Sequence, residues 1–340
     1  MSAPGTTSPA RRAGRGWWMD LLQVAASVLL VVLIVHRFSF GRLKEQVLQT
    51  NALALALPFA ILVAANVLGA LQWGWILRAS GLRPGFGHLA RVYWVGLFLN
   101  NFLPGSVGGD VYKVFVVGRE TGALARVAGA TIVDRVIGLA VLCTLASLTA
   151  LSALGTQRAP MHLALFVLGF TSALLLVSAV VLHARGGAWL MRVVGHIRWR
   201  GLGARLAHVL GDLQQYRGRT QLLNGAFLLS LGVQSSRVVA HFAVAQAMGW
   251  GLAGADLAKF FLAIPILGLL MLLPISFGGW GVREWAGVAL FEPLGHGGEE
   301  AVTLLALTAS LSLVASLPGA VAYFLGRRRG GLVFDAGRPA

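Results

Sequence analysis

Long apolar stretches, separated by short polar ones, run along the chain at 21–35, 52–77, 89–103, 127–154, 160–183, 222–247, 257–273 and 301–326. Most reach the roughly 20 residues that cross a hydrocarbon core about 30 Å thick. The first run is followed by His36, Arg37 and Phe38 with no small-x-small cleavage pattern, so it reads as a retained helix and not a signal peptide. Two segments are broken. Run 89–103 is short and ends at Pro104, and a Pro/Gly break separates 257–273 from 280–291. Inside a bilayer, irregular backbone is tolerated only where protein or a water-filled cavity covers it. Both broken segments are therefore predicted to be re-entrant hairpins. The expected fold is an all-α polytopic membrane protein with about six full spans plus two hairpins.

The two breaks resemble each other. The first reads Leu103-Pro104-Gly105-Ser106-Val107-Gly108-Gly109-Asp110-Val111-Tyr112-Lys113, and the second Leu273-Pro274-Ile275-Ser276-Phe277-Gly278-Gly279-Trp280-Gly281-Val282-Arg283. The shared pattern L-P-x-S-x-G-G-x-x-x-[K/R] recurs at an offset of 170 residues, half the chain. The flanks agree, 52–77 with 222–247 and 127–154 with about 297–324, which gives repeat units of about 52–154 and 222–326. One odd span, 160–183, lies between the units and inverts the second copy. Inverted-topology repeats of this kind underlie many secondary transporters. The expected organisation is a disordered basic N-terminus at 1–20, one transmembrane domain at 21–326 and a basic tail at 327–340.

Composition sharpens the membrane reading. Of 340 residues, 57% are hydrophobic and only 12% charged, against roughly 25% charged in a soluble domain. Mean hydropathy is +0.76. The net charge of +16 would suit a nucleic-acid binder, but the bases sit between apolar runs, so no nucleic-acid partner is expected. With the N-terminus cytoplasmic, 20 Lys and Arg fall in cytoplasmic stretches and 4 outside, with Arg135, Arg237, Lys259 and Arg283 in or near apolar segments. That split follows the positive-inside rule and predicts a multi-pass inner-membrane protein with both termini cytoplasmic. The long polar stretch 184–220 repeats Trp199, Leu202, Leu206, Val209, Leu210, Leu213 and Tyr216 at helical spacing among arginines. It reads as a linker helix, either lying against anionic headgroups or plainly solvated.

In each hairpin the second arm is a helix that begins just after Ser-x-Gly-Gly, with its N-terminus toward the membrane interior. A helix N-terminus offers unpaired N–H groups and about half a positive charge, which suits phosphate or carboxylate. Ser106, Gly108, Gly109 and Lys113 in the first copy, and Ser276, Gly278, Gly279 and Arg283 in the second, are the candidate headgroup contacts. The alternative is that proline and glycine merely allow the turn and close packing. Asp110, Asp134, Arg135, Arg237 and Glu284 form a candidate charge network. A charge at the bilayer centre costs about 2.5–3.5 kcal/mol on insertion scales, so each should face a partner or a cavity. Asp134 is expected to neutralise Arg135 or Arg237. His241 reads as a satisfied core histidine, and Asn66 and Gln72 as helix–helix hydrogen bonders.

Signals for an enzyme are thin. Pro104-Gly105-Ser106-Val107-Gly108 fails the G-x-S-x-G elbow at its first position. No H-E-x-x-H or Walker A occurs, the histidines lack ligand spacing, and the single Cys143 lies in an apolar run. No catalytic residue, metal or cofactor is expected.

Three stretches together, Asn100-Asn101-Phe102-Leu103-Pro104-Gly105-Ser106-Val107-Gly108-Gly109-Asp110, Asp134-Arg135-x-x-Gly138-Leu139 and Pro274–Glu284, resemble the lysylphosphatidylglycerol synthase transmembrane (flippase-like) family. The resemblance runs from about 20 to 330. In larger members this region is joined to a soluble aminoacyl-transferase domain. Here the chain ends at 340, so lysyl transfer is not expected. The resemblance implies a lipid flippase whose cargo is an anionic or polyprenyl-linked lipid, with membrane lipids bearing phosphate headgroups as partners. Two alternatives stay open: a membrane enzyme acting on lipid-linked sugar, and an accessory subunit of envelope-lipid synthesis. A homo-oligomer or a synthase partner stays open too.

Overall fold

The computed structural model describes residues 40–102, 108–154, 165, 167–173, 176, 192, 218–271, 281–292 and 295–328. The expected first span, most of the span at 160–183 and of the segment 184–220, Ser106, Ser276, Gly278 and Gly279 lie outside the described residues. So does the tail from 329.

Every regular element described is a helix. After α1 (Phe40–Gln49), the first unit comprises α2 (Ala56–Ala79), α3 (Phe86–Asn100), α4 (Gly108–Glu120) and α5 (Leu124–Leu154). The second unit comprises α6 (Thr220–Ala247), α7 (Leu257–Leu270), α8 (Val282–Phe291) and α9 (Gly298–Arg328). The helices α2, α5, α6 and α9 are long and apolar enough to cross a membrane. The hairpin arms are not. The longest, α3, has 15 residues, about 22 Å at 1.5 Å per residue, against a core of about 30 Å. The expected hairpins are thus present as pairs of short arms.

Local chemistry fixes the ends of the equivalent spans. Gly81 (φ +83°) follows α2 and Gly249 (φ +83°) follows α6. In each case the next N–H, from Leu82 or Trp250, reaches back to the carbonyl of Leu77 or Ala245. This left-handed glycine cap satisfies carbonyls that a continuing helix would have bonded, and a side chain at either glycine would be strained.

The units interlock. The arm α3 packs on α9 of the other unit and its counterpart α7 packs on α5, so each hairpin leans on the last span of its opposite copy. The pairs α4–α5 and α8–α9 correspond in the same way, as do α2–α5 and α6–α9. The most extensive contact joins the equivalent helices α2 and α6. They run antiparallel. The Trp75 indole donates to the Leu222 carbonyl at 3.2 Å and Arg219 to the Ala79 carbonyl at one end, Gly232 faces Leu68 midway, and Asn51 N–H donates to the Ala247 carbonyl at the other end at 3.0 Å. Equivalent helices of opposite direction are the geometric meaning of an inverted repeat. Apolar side chains fill each half. One cluster gathers around Trp73, Val92 and Val127, the other around Phe260, Phe291 and Leu304.

Candidate functional site: a charged cavity between the inverted units

Five of these helices carry polar residues on the side that faces the molecular interior. On α6 they are Ser230, Gln234, Arg237 and His241, at spacings of four, three and four, which keeps them on one helical face. On α2 Asn66, Gly69 and Gln72 do the same, and on α9 Thr308, Ser312 and Ser316. With Asp134 and Arg135 of α5, and Asn100 and Asn101 near the end of α3, they enclose a cavity of about 440 Å³. Lys113 from the first hairpin and Arg283 from the second both reach its wall. The two bases of the repeated motif, 170 residues apart in sequence, thus share one space. A volume of this size accommodates a small-molecule ligand or a polar headgroup.

Around Lys113 the chemistry is tightly closed. Its Nζ lies 2.7 Å from Asp110 Oδ1, one helical turn earlier, and its side chain is only 5% exposed. The same ammonium stands 5.0 Å from the Trp73 ring centroid and 4.9 Å from that of Tyr93, where ring faces attract a cation. The other carboxylate oxygen of Asp110 accepts from Arg135 Nε and Nη2, both at 2.6 Å. One carboxylate therefore meets two bases, and the trio keeps one net positive charge. Arg283 pairs with Glu284 Oε1 at 2.5 Å, and Glu284 Oε2 accepts from Gly281 N–H at 2.7 Å. The glutamate thereby also satisfies an N–H at the start of α8.

Three expectations change. Arg135 takes Asp110 and not its sequence neighbour Asp134. Neighbouring residues of a helix point about 100° apart and cannot face each other across it. Asp134 accepts instead from the Gln72 amide at 2.9 Å, so Gln72 is the helix–helix bonder foreseen for it. The second change is at Gly109. Its N–H donates to Asn100 Oδ1 at 2.8 Å, and a Cβ there would stand 1.9 Å from the Gly96 carbonyl oxygen. This glycine serves the close approach of the two hairpin arms. Lastly, neither Gly108 nor Gly109 lines the cavity.

Reading the sequence missed Ser230, Gln234, Tyr93 and Asn100. The α6 stripe was legible as a 4-3-4 spacing of polar residues inside an apolar run. Tyr93 carried no such signal: it lies within an apolar arm, and only packing sets its ring beside Lys113. His241 Nδ1 bonds the Arg237 carbonyl at 2.8 Å, as a satisfied histidine should. It also lines the cavity, within the electrostatic reach of both Arg237 and Arg283. Among the described residues no group of three His, Cys, Asp or Glu could hold a metal ion.

Two interlocked, oppositely directed units around a charged interior define a polytopic, inverted-repeat membrane protein. The chain belongs to the family of lysylphosphatidylglycerol synthase transmembrane regions, which it matches over residues 21–319. It is similar to a UPF0104 membrane protein of Pyrococcus horikoshii, with 21% identity over 46% of this chain and 47% of that protein. A UPF0104 membrane protein of Methanothermobacter thermautotrophicus is 26% identical over 30% of this chain and 29% of its own length. The chain thus spans about half, or less, of the curated relatives it matches. Family membership associates it with membrane-lipid function.

Proposed function

We propose that the protein is a lipid translocase, a flippase-like carrier that passes an anionic headgroup through the cavity while the acyl tails stay in the bilayer. The observation that carries this reading is the meeting of Lys113 and Arg283, from hairpins of opposite units, in one cavity between antiparallel copies. Inverted repeats support alternating access, because exchanging the conformations of the two units moves an opening from one face to the other. Polar stripes on three spanning helices, with Asp134 and Arg135 on the fourth, give a headgroup hydrogen-bonding partners along its path, which lipid tails cannot supply. The basic residues Arg78, Arg83, Arg91, Arg119, Arg126 and Arg219 sit in or beside the connections at one end of the bundle, and we place that end on the cytoplasmic side of the inner membrane.

Reconstitution tests the reading. Liposomes containing the protein should flip a short-chain fluorescent phosphatidylglycerol faster than empty liposomes. A folded Arg283→Gln variant should be slowed about tenfold or more, as expected for loss of a charge-assisted contact. Wild-type protein that accelerates the flip of no anionic phospholipid would remove the proposal.

A further inference from the structure

The cavity wall carries four basic residues, Lys113, Arg135, Arg237 and Arg283, and one acid, Asp134. Just behind it, Asp110 bonds Lys113 and Arg135, and Glu284 bonds Arg283. Asp134 is held by the Gln72 amide. Among the described residues the Arg237 guanidinium has neither an ion pair nor a hydrogen bond, although it is only partly exposed. The acids outside the described residues are Asp20, Asp212 and Asp335, all in the terminal segments or the linker. The undescribed residues 103–107 and 272–280 contain none. Four bases and three acids leave the site with one excess positive charge, and Arg237 is the base that no carboxylate meets at ion-pair distance among the described residues, with Asp134 only within its electrostatic reach.

The surroundings of Arg237 specify more. It lies well inside the 28-residue α6, 10 residues from its end. A charge at that depth needs a partner, and charged side chains placed so are functional by default. Its neighbours along the stripe are Ser230, Gln234 and His241. A carbonyl only accepts, so His241 Nδ1 carries the ring proton and Nε2 is left as an acceptor. The Ser230 hydroxyl is fully buried and without a partner among the described residues. The stripe thus offers one guanidinium for an anion, and hydroxyl, amide and imidazole groups for neutral polar atoms.

We propose that Arg237 is the residue that meets the headgroup's formal negative charge. The site then selects headgroups of net charge −1 with a phosphodiester and hydroxyls, over zwitterions, whose amine the excess positive charge would repel. This rests on the cavity's being a headgroup site and assigns the charge-reading role within it. Lys113 and Arg135, both held by ion pairs to Asp110, shape the wall.

The test uses the purified full chain in neutral detergent, titrated with dihexanoyl phosphatidylglycerol (net −1) and dihexanoyl phosphatidylcholine (net 0). Wild type should bind the former at least tenfold more tightly. Arg237→Gln should weaken phosphatidylglycerol binding about 10- to 100-fold and leave phosphatidylcholine within about threefold, so the preference collapses. Gln234→Glu, which sets a carboxylate one turn from Arg237, should collapse it too, and it covers the case in which the first variant fails to fold. Either variant, monodisperse on size exclusion and keeping the wild-type preference, would overturn the role of Arg237 while leaving the headgroup site standing. Wild type that binds neither lipid would overturn the headgroup site itself.

Discussion

Asp110 is the residue on which the first hairpin's electrostatics depend. It is 11% exposed and bonds both Lys113 and Arg135. Removing one partner of a buried ion pair leaves an uncompensated charge, at a cost of about 3–5 kcal/mol. Arg135 remains half-exposed, at 48%, so the low end of that range applies. Asp110→Asn should sharply reduce the fraction of monodisperse protein after extraction. Adding Lys113→Met should restore much of it, because one uncompensated base then remains in place of two. Asp134→Asn should cost only about 1 kcal/mol, since an amide oxygen can still accept from Gln72. Equal loss in Asp110→Asn and Asp134→Asn, seen as equal thermal midpoints, would contradict this ranking.

Among the elements, contacts of backbone on backbone decide which positions tolerate change. Gly109 in α4 meets the Gly96 carbonyl oxygen, and Gly319 in α9 would place a Cβ 2.1 Å from the Trp94 carbonyl oxygen in α3. A backbone atom cannot swing aside as a side-chain tip can. Gly109→Ala and Gly319→Ala should each cost about 1–3 kcal/mol or more by overpacking. Gly85→Ala, with nothing within 4 Å, should leave the melting temperature nearly unchanged. Asn100→Ala, which strips the Gly109 N–H of its acceptor, should cost about 1 kcal/mol. At the end of the bundle where α6 gives way to α7, the His296 ring stacks on Trp250 at 4.1 Å between centroids. Burial first, then the nearby Lys259, hold His296 below its ordinary pKa. The folded state therefore disfavours the protonated ring. The stabilisation is present above the unfolded pKa of about 6.5 and is lost as pH falls from there toward the lowered folded value. The thermal midpoint of wild type should drop between pH 7.5 and 5.5 by more than that of His296→Gln. Identical drops would show that another group sets the pH response.

For the molecule as a whole, the antiparallel packing of α2 on α6 sets the loop after α2 and the loop before α9 at opposite ends. Gly85 and Gly297 are exposed positions in those loops, and the native Cys143 is buried at 1%, which keeps the background silent. Gly85→Cys should react with a membrane-impermeant maleimide from one side of an intact membrane only, and Gly297→Cys only from the other. Labelling of both from the same side would contradict the inverted arrangement.

The sequence alone determined the four described spans, the short hairpin arms and the repeat. Hydropathy over about 20 residues is a local quantity, and a motif recurring at a fixed offset with one odd span between its copies dictates inversion without any knowledge of packing. It also named the charged residues that would need partners, since an intramembrane charge is costly wherever it lies. Which partner each one takes was decided by the tertiary structure. Asp110 and Arg135 are 25 residues apart, and Gln72 and Asp134 are 62 apart. They meet only because α4 and α2 pack on different faces of α5. The same interlocking closes Gly109 against Gly96. It also turns the α6 stripe toward the cavity, where Arg237 meets no carboxylate at ion-pair distance among the described residues. A one-dimensional pattern gives the period of a polar face, but only the opposing helices fix what that face meets.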